Sequence, residues 1–188
     1  MNGITAIILA GGAGSRVGGR DKGLLHWQGR PLVEHALERL AHAGITEILI
    51  NANRNLERYA QYGHAVVPDA EAGHAGPLAG IAAGLAAART DLALTVPVDA
   101  PLWPDQLAAR LADAMREGSV QCAVATDGRD RQPLFAVYAT ALAGAAVAAL
   151  AYGDRAVWRF QDRVGVRELA FEDAGEQFAN INELVDPT

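Results

Sequence analysis

Hydrophobic and polar positions fall into blocks of strand and helix length. Ile4 to Leu9 is an apolar run with a β-branched bias, the signature of a buried strand. Leu24 to Trp27 is a short apolar piece, and Gln28-Gly29-Arg30-Pro31 is a turn that places proline at the start of a helix. Leu32, Val33, Ala36, Leu37, Leu40 and Ala41 recur at helical spacing as far as Gly44, the predicted stop. Ile45 to Ile50 reads as a second strand closing on Asn51, and the polar Asn51-Ala52-Asn53-Arg54 leads into a short helical stretch over 56–62. Ala65 to Val67 is a third strand, closed by Pro68 and Asp69, and residues 70–77 form a long aperiodic loop. Leu78 to Arg89, rich in alanine and glycine, predicts a helix packed close to the sheet near the first loop.

The second half continues the alternation. Asp91 to Val98 is a predominantly apolar strand ended by Asp99, as expected where both faces of a parallel sheet are covered. Pro101 and Pro104 mark a turn, and Asp105 to Met115 is an amphipathic helix with Leu107, Leu111 and Ala114 on one face. A strand over 121–126, a charged turn from Asp127 to Arg131, a strand-like 134–138, helices over 141–152 and 155–161, and a strand over 164–169 precede a polar tail with Asn180-Ile181-Asn182. Strands alternating with helices predict an α/β, three-layer Rossmann-like fold with a mainly parallel central sheet. No repeat, linker or composition break divides residues 1–188, so a single domain is expected.

Composition narrows the partners. At 188 residues and 51% hydrophobic, the chain is expected to bury about 70% of its unfolded surface. A net charge of −6 and a pI near 5.3 argue against a nucleic-acid partner and require that any anion be bound locally. Cys122 is alone, which excludes an internal disulfide or a cysteine-based zinc site. The absence of a leader-like N-terminus or a bilayer-length apolar stretch predicts a cytoplasmic protein without membrane contact.

The chemistry concentrates in Leu9 to Lys22, where five glycines, two arginines and a lysine occupy fourteen residues directly after a strand. Glycine lets backbone N–H groups approach an anion closely, and the cations add charge that dipoles alone do not supply. Arg20 and Asp21 stand where a P-loop needs lysine and a hydroxyl residue, and Val17 stands where a dinucleotide fingerprint needs its third glycine. Ligands of open α/β sheets bind at the carboxyl ends of strands, and the loop, Asn51, Asp69 and Asp99 each follow one.

Asp99 is the sharpest single candidate. A carboxylate after an apolar strand needs a partner for its charge, and magnesium, which uses one or two carboxylates plus substrate phosphates, is a natural one. A helix N-cap or a pairing with an arginine is the plainer reading. Arg16 and Lys22 would offset charge on phosphates during attack at phosphorus. No activated protein nucleophile is evident. His26, His35, His42, His64 and His74 lack metal-ligand or triad spacing, and Trp27, Trp103 and Trp158 could stack on a flat ring, although core packing is the commoner role of tryptophan.

The same residues carry a resemblance. Leu9-Ala10-Gly11-Gly12, Arg16, Gly18-Gly19, Asp21-Lys22-Gly23-Leu24-Leu25 and Gly29-Arg30-Pro31-Leu32 resemble the N-terminal motif of the molybdenum cofactor guanylyltransferases, within the nucleotidyltransferase group. Asn51-Ala52-Asn53-Arg54, Asp69, Gly76-Pro77-Leu78-Ala79-Gly80, Pro97-Val98-Asp99-Ala100-Pro101 and Phe178-Ala179-Asn180-Ile181-Asn182 follow in the family's order, so the likeness spans nearly the whole chain. It implies transfer of GMP from GTP to the terminal phosphate of molybdenum-molybdopterin, with magnesium as cofactor and release of pyrophosphate. By the same resemblance Leu9, Ala10 and Gly11 would line the nucleotide, Gly12 and Arg16 the phosphates, and Lys22, Asn51 and Asp69 would touch the nucleotide. Asp99 would bind nucleotide and magnesium, and Asn180 and Asn182 would lie in the same cleft. Other cofactor-biosynthesis proteins and recipient molybdoenzymes are implied as partners. Family members often carry histidine where this chain has Gln132, which leaves the 127–133 loop without an assigned role. Spacing alone does not select guanine or the acceptor. Transfer to a sugar phosphate, CMP transfer to the pterin cofactor, and a non-catalytic GTP-binding regulator remain the alternatives.

Overall fold

The first strand, β1 (Ile4–Leu9), occupies an interior position in a seven-stranded sheet because both of its faces are largely apolar and both are covered. A computed structural model describes residues 3–12, 20–70, 76–118, 120–172 and 174–181. After β1 come a 3₁₀ turn at Lys22–Leu24, a small hairpin of β2 (His26–Trp27) and β3 (Arg30–Pro31), and helix α1 (Leu32–His42). Then follow β4 (Glu47–Asn51), α2 (Leu56–Ala60), β5 (Ala65–Val67), α3 (Pro77–Ala87), β6 (Leu92–Pro97) and α4 (Leu107–Glu117). The chain continues through β7 (Cys122–Thr126), β8 (Arg131–Ala139), α5 (Ala143–Ala151), α6 (Val157–Val164) and β9 (Val166–Ala170).

The strand order is β5-β4-β1-β6-β8-β7-β9. Every pairing is parallel except those of β8, which runs antiparallel to both β6 and β7. The expected mainly parallel α/β sheet is therefore present, with one reversed strand. Successive β1 residues point to opposite faces, as the pleat requires. Ala6 and Ile8 pack with Leu32, Leu40, Leu107 and Leu111 of α1 and α4, whereas Ile7 packs with Leu78, Ile81 and Phe160 of α3 and α6. These two apolar cores on either side of the sheet make the three layers. Among the described residues no helix is long and apolar enough to cross a membrane.

Several boundaries differ from the sequence expectation for identifiable reasons. Pro31 does not start α1; it pairs with His26 in β3 and holds an extended ψ of 143°, so the helix begins one residue later. Ile45 lies outside β4 because its N–H closes the end of α1 on the Leu40 carbonyl at 3.0 Å. Asp105 stands before α4, its carboxylate taken by Arg39 at 2.8 Å. The strand expected over 134–138 starts earlier, at Arg131, because the 127–130 turn folds β8 back onto β7. Trp103 is buried beside Phe135 as expected, but Trp158 is about half exposed on α6. His35 is a packing residue, its ring nitrogen 2.9 Å from the Trp27 carbonyl.

Candidate functional site

The register of three parallel strands sets up the site. Leu9 at the end of β1 pairs with Asn51 at the end of β4 and with Pro97 at the end of β6, so the three strands finish level. The backbone bonds run one step further, from Ala10 N–H to the Asn51 carbonyl at 2.8 Å and from Val98 N–H to the Leu9 carbonyl at 3.2 Å. Gly11 and Gly12 then leave the sheet between the two neighbouring strand ends. Arg16 and Asn182, together with His74, lie outside the described residues.

On the β4 side, amides and a carboxylate lock together. Asn51 is buried, and its Nδ2 donates to the Val67 carbonyl at 3.0 Å and to Asp69 Oδ1 at 2.9 Å. Asn53 Nδ2 donates to Asp69 Oδ2 at 2.8 Å, and Asn53 Oδ1 accepts the Asp69 N–H at 2.8 Å. Helix α3 closes this corner from below. A Cβ on Gly80 would stand 2.1 Å from Asn51 Oδ1, so only glycine lets the helix approach that far. The small-residue helix expected near the first loop is thus present, and its glycine serves Asn51.

On the β6 side, a cation meets a carboxylate. The turn at Lys22 brings Lys22 Nζ within 2.8 Å of Asp99 Oδ2, with side-chain exposures of 23% and 20%. The expected pairing of Asp99 is with this lysine and not with an arginine. Near-burial strengthens the attraction over its value in water, yet both groups keep a face toward solvent. The chain's tail returns here as well: Ile181 N–H donates to the Asp99 carbonyl at 2.7 Å, which sets the exposed Asn180 beside the pair. Leu9 to Gly12, Lys22, Asn51, Asp69, Asp99 and Asn180 therefore share one edge of the sheet.

The donor set bears on a metal. Among the described residues no group of three or more His, Cys, Asp or Glu side chains could hold a metal ion. A single carboxylate of hard oxygen suits magnesium, which completes its shell with water and substrate phosphates, and does not suit zinc. Asp99 fits that mode. Asp69 is held differently, with each of its oxygens accepting an amide hydrogen.

The 127–133 hairpin reaches the same edge, since β7 and β6 both run antiparallel to β8. The Asp127 carboxylate is closed within the hairpin. Gln132 Nε2 donates to Asp127 Oδ2 at 2.9 Å, and the N–H groups of Asp130 and Arg129 hold the Asp127 carboxyl below its usual range. Arg131 pairs with Asp162 at 2.8 Å and with Glu168.

Sequence reasoning missed four contributors. In the sequence Asn53 reads as loop and Asp21, Asn55 and Tyr59 carry no role, although Tyr59 Oη donates to Asp21 Oδ1 at 2.6 Å and Asn55 Nδ2 donates to Asp21 Oδ2 at 3.0 Å. The polar run 51–55 directly after a strand was the available signal.

Level strand ends, Gly11 and Gly12 leaving β1 between them, and a lysine–carboxylate pair on one flank mark this carboxyl edge of the α/β sheet as the place for a ligand. The profile of the MobA-like NTP transferase domain matches residues 6–167, and the chain belongs to that family. A molybdenum cofactor guanylyltransferase of Mannheimia succiniciproducens is 43% identical over 183 residues, covering 97% of this chain and 96% of the relative. One of the same name from Ralstonia nicotianae is 44% identical, covering 97% of this chain and 93% of its own length. The crystal structure of molybdopterin-guanine dinucleotide biosynthesis protein A from Archaeoglobus fulgidus superposes with a TM-score of 0.78 at 22% identity, covering 95% of this chain and 92% of that one, and shares the fold. The protein is an enzyme of the nucleotidyltransferase class.

Proposed function

We propose that this enzyme transfers GMP from GTP to the terminal phosphate of molybdenum-molybdopterin. An oxygen of the acceptor phosphate attacks the α-phosphorus of GTP, a new P–O–P linkage forms, the bond from the α-phosphorus to its bridging oxygen breaks, and pyrophosphate leaves with that electron pair. The Lys22–Asp99 pair at the strand ends is the observation that carries the transfer chemistry. The guanine base and the pterin acceptor rest on the names borne by relatives that match along nearly the whole chain.

The chain's residues divide the work. Leu9, Ala10, Gly11 and Gly12 would offer backbone groups to the nucleotide, and Arg16 would add charge at the phosphates. Asn51 and Asp69 would form a fixed polar wall. Asp99 would hold magnesium, which when bound neutralises phosphate charge and orients the oxygens around phosphorus. Lys22 would then turn from Asp99 to the phosphates and stabilise the charge that develops as the bond breaks. Asn180 and Asn182 would border the cleft. The setting is cytoplasmic, with other cofactor-biosynthesis proteins and recipient molybdoenzymes as protein partners.

The test compares GTP, CTP and UTP for pyrophosphate release with molybdenum-molybdopterin and magnesium present. GTP-dependent product supports the reading. Equal or better use of CTP overturns the guanine assignment, and tight GTP binding without product from any nucleotide makes the protein a regulator.

A further inference from the structure

The segment after β4 grips both ends of the glycine-rich turn. On the outgoing side, Asn53 Nδ2 donates to the Gly11 carbonyl at 3.4 Å and the Arg54 guanidinium donates to the Gly12 carbonyl at 3.3 Å. On the returning side, the same guanidinium donates to the Arg20 carbonyl at 3.0 Å. One residue later Asp21, only 9% exposed, takes Asn55 on one oxygen and Tyr59 on the other. Residues more than thirty positions apart in sequence are thus joined at both rims of the loop.

Tyr59 is the fixed point of this arrangement. It is fully buried in the core on that side of the sheet, and burial, with the Asp21 carboxylate second, pushes its phenol well above the usual range, so the hydroxyl stays a donor. Gly23 is seated on the same oxygen: a Cβ there would lie 2.4 Å from Tyr59 Oη and 3.2 Å from Val98 Cγ2. Lys22 stands between Asp21, bonded to Tyr59, and Gly23, pressed between Tyr59 and Val98. Val98 in turn precedes Asp99. The hydroxyl of Tyr59 therefore sets the height and direction of the residue whose ammonium reaches Asp99.

We infer that Tyr59 is a positioning residue for transfer: through Asp21 it fixes Lys22 against Asp99, and Arg54 holds the loop's two rims at constant separation. Tyr59 does not touch the reacting atoms; its effect on rate passes through Lys22. The rate arm of the test rests on the function proposed above, and the exchange arm does not.

Tyr59→Phe keeps the buried ring and removes one hydrogen bond to a charged group. Its kcat is expected to fall about tenfold, while the KM for GTP changes less than about twofold. In a Lys22→Ala background the same substitution is expected to have no further effect. An equal fall in both backgrounds, or full activity of Tyr59→Phe, overturns the inference. In the free protein, amide exchange at Leu24 and Leu25, whose N–H groups bond the Asp21 and Lys22 carbonyls at 3.1 Å, is expected to quicken about tenfold, with Ile7 unchanged. Unchanged exchange at Leu24 and Leu25 also overturns it. Absence of GMP transfer by the wild type would refute the proposed function, and the exchange result would still decide the role of Tyr59.

Discussion

The two flanks of β1's carboxyl end hold their carboxylates by different means. On the β4 flank, Asp69 is fixed by the side-chain amides of Asn51 and Asn53 at 2.9 and 2.8 Å. On the β6 flank, Asp99 is met by the ammonium of Lys22 at 2.8 Å. Neutral amides that are themselves anchored, one on Val67 and one by the Asp69 N–H, leave Asp69 nothing to exchange with. A lysine on a flexible stem is different: another cation can replace it on the carboxylate, and it can move to another anion. The β4 flank is accordingly built as a wall and the β6 flank as a place where charge is handed over. Substitutions on the two flanks should therefore act on different kinetic constants.

The largest effect is expected at Asp99. Asp99→Ala removes the carboxylate proposed to hold magnesium and takes the Asp99 partner from Lys22. Transfer should fall by at least about a thousandfold, as when a central electrostatic group of an active site is deleted. The melting temperature should move little, because the pair keeps contact with solvent and such pairs contribute about 0–1 kcal/mol. Steady-state rates across a magnesium titration, beside a thermal melt, check this. Undiminished magnesium-dependent turnover would remove Asp99 from the chemistry and with it the contrast between flanks.

Lys22→Ala comes next. The loss of one cation from the transition state should lower kcat about a hundredfold, again with little change in melting temperature. Normal turnover with a large fall in melting temperature would make Lys22 a structural residue. A further readout sharpens the exchange idea: with Lys22 gone, Asp99 should bind magnesium or manganese alone more tightly than in the wild type, measured by calorimetry without nucleotide.

How far the sequence announced this arrangement varies with the range of the interaction concerned. Strands buried on both faces show themselves as apolar runs, so β1, β4 and β6 are legible, and the polar residues that close β4, the edge strand β5 and β6, namely Asn51, Asp69 and Asp99, all lie at the predicted edge. The insertion of β8 between β6 and β7 is not legible, because strand order is fixed by pairing between distant segments and leaves no mark in local periodicity. The same applies within the site. Lys22 and Asp99 each stand out in the sequence, but their bond spans 77 positions. Tyr59 reads as one more apolar position of a short helix, and only the return of Asp21, 38 positions earlier, gives its hydroxyl a task. Asn55 adopts a left-handed backbone, with φ of 52°, to aim at Asp21; asparagine tolerates this better than most residues, yet that tolerance alone does not reveal the partner.

The smallest effect, and the one that discriminates best, is Asp69→Asn. The substitution is isosteric, but it places an NH₂ where an oxygen accepted. Turned one way the new amide faces Asn51 Nδ2, and turned the other way Asn53 Nδ2. Neither neighbour can rotate to accept without loss, since Asn51 Nδ2 also serves the Val67 carbonyl and Asn53 Oδ1 takes the Asp69 N–H. Turned toward the exposed Asn53, the new donor faces another donor in contact with solvent, so the loss is that of one hydrogen bond, about 0.5–1.5 kcal/mol. In a chain of this size each kcal/mol lowers the melting temperature by about 2–4 °C. The displaced wall should raise the KM for GTP about tenfold, the equivalent of about 1.4 kcal/mol of binding, while kcat stays within about twofold because Lys22 and Asp99 are untouched. A fall in kcat at unchanged KM would place Asp69 with the chemistry, and the two flanks of β1 would then be one charged site instead of a wall and an exchange point.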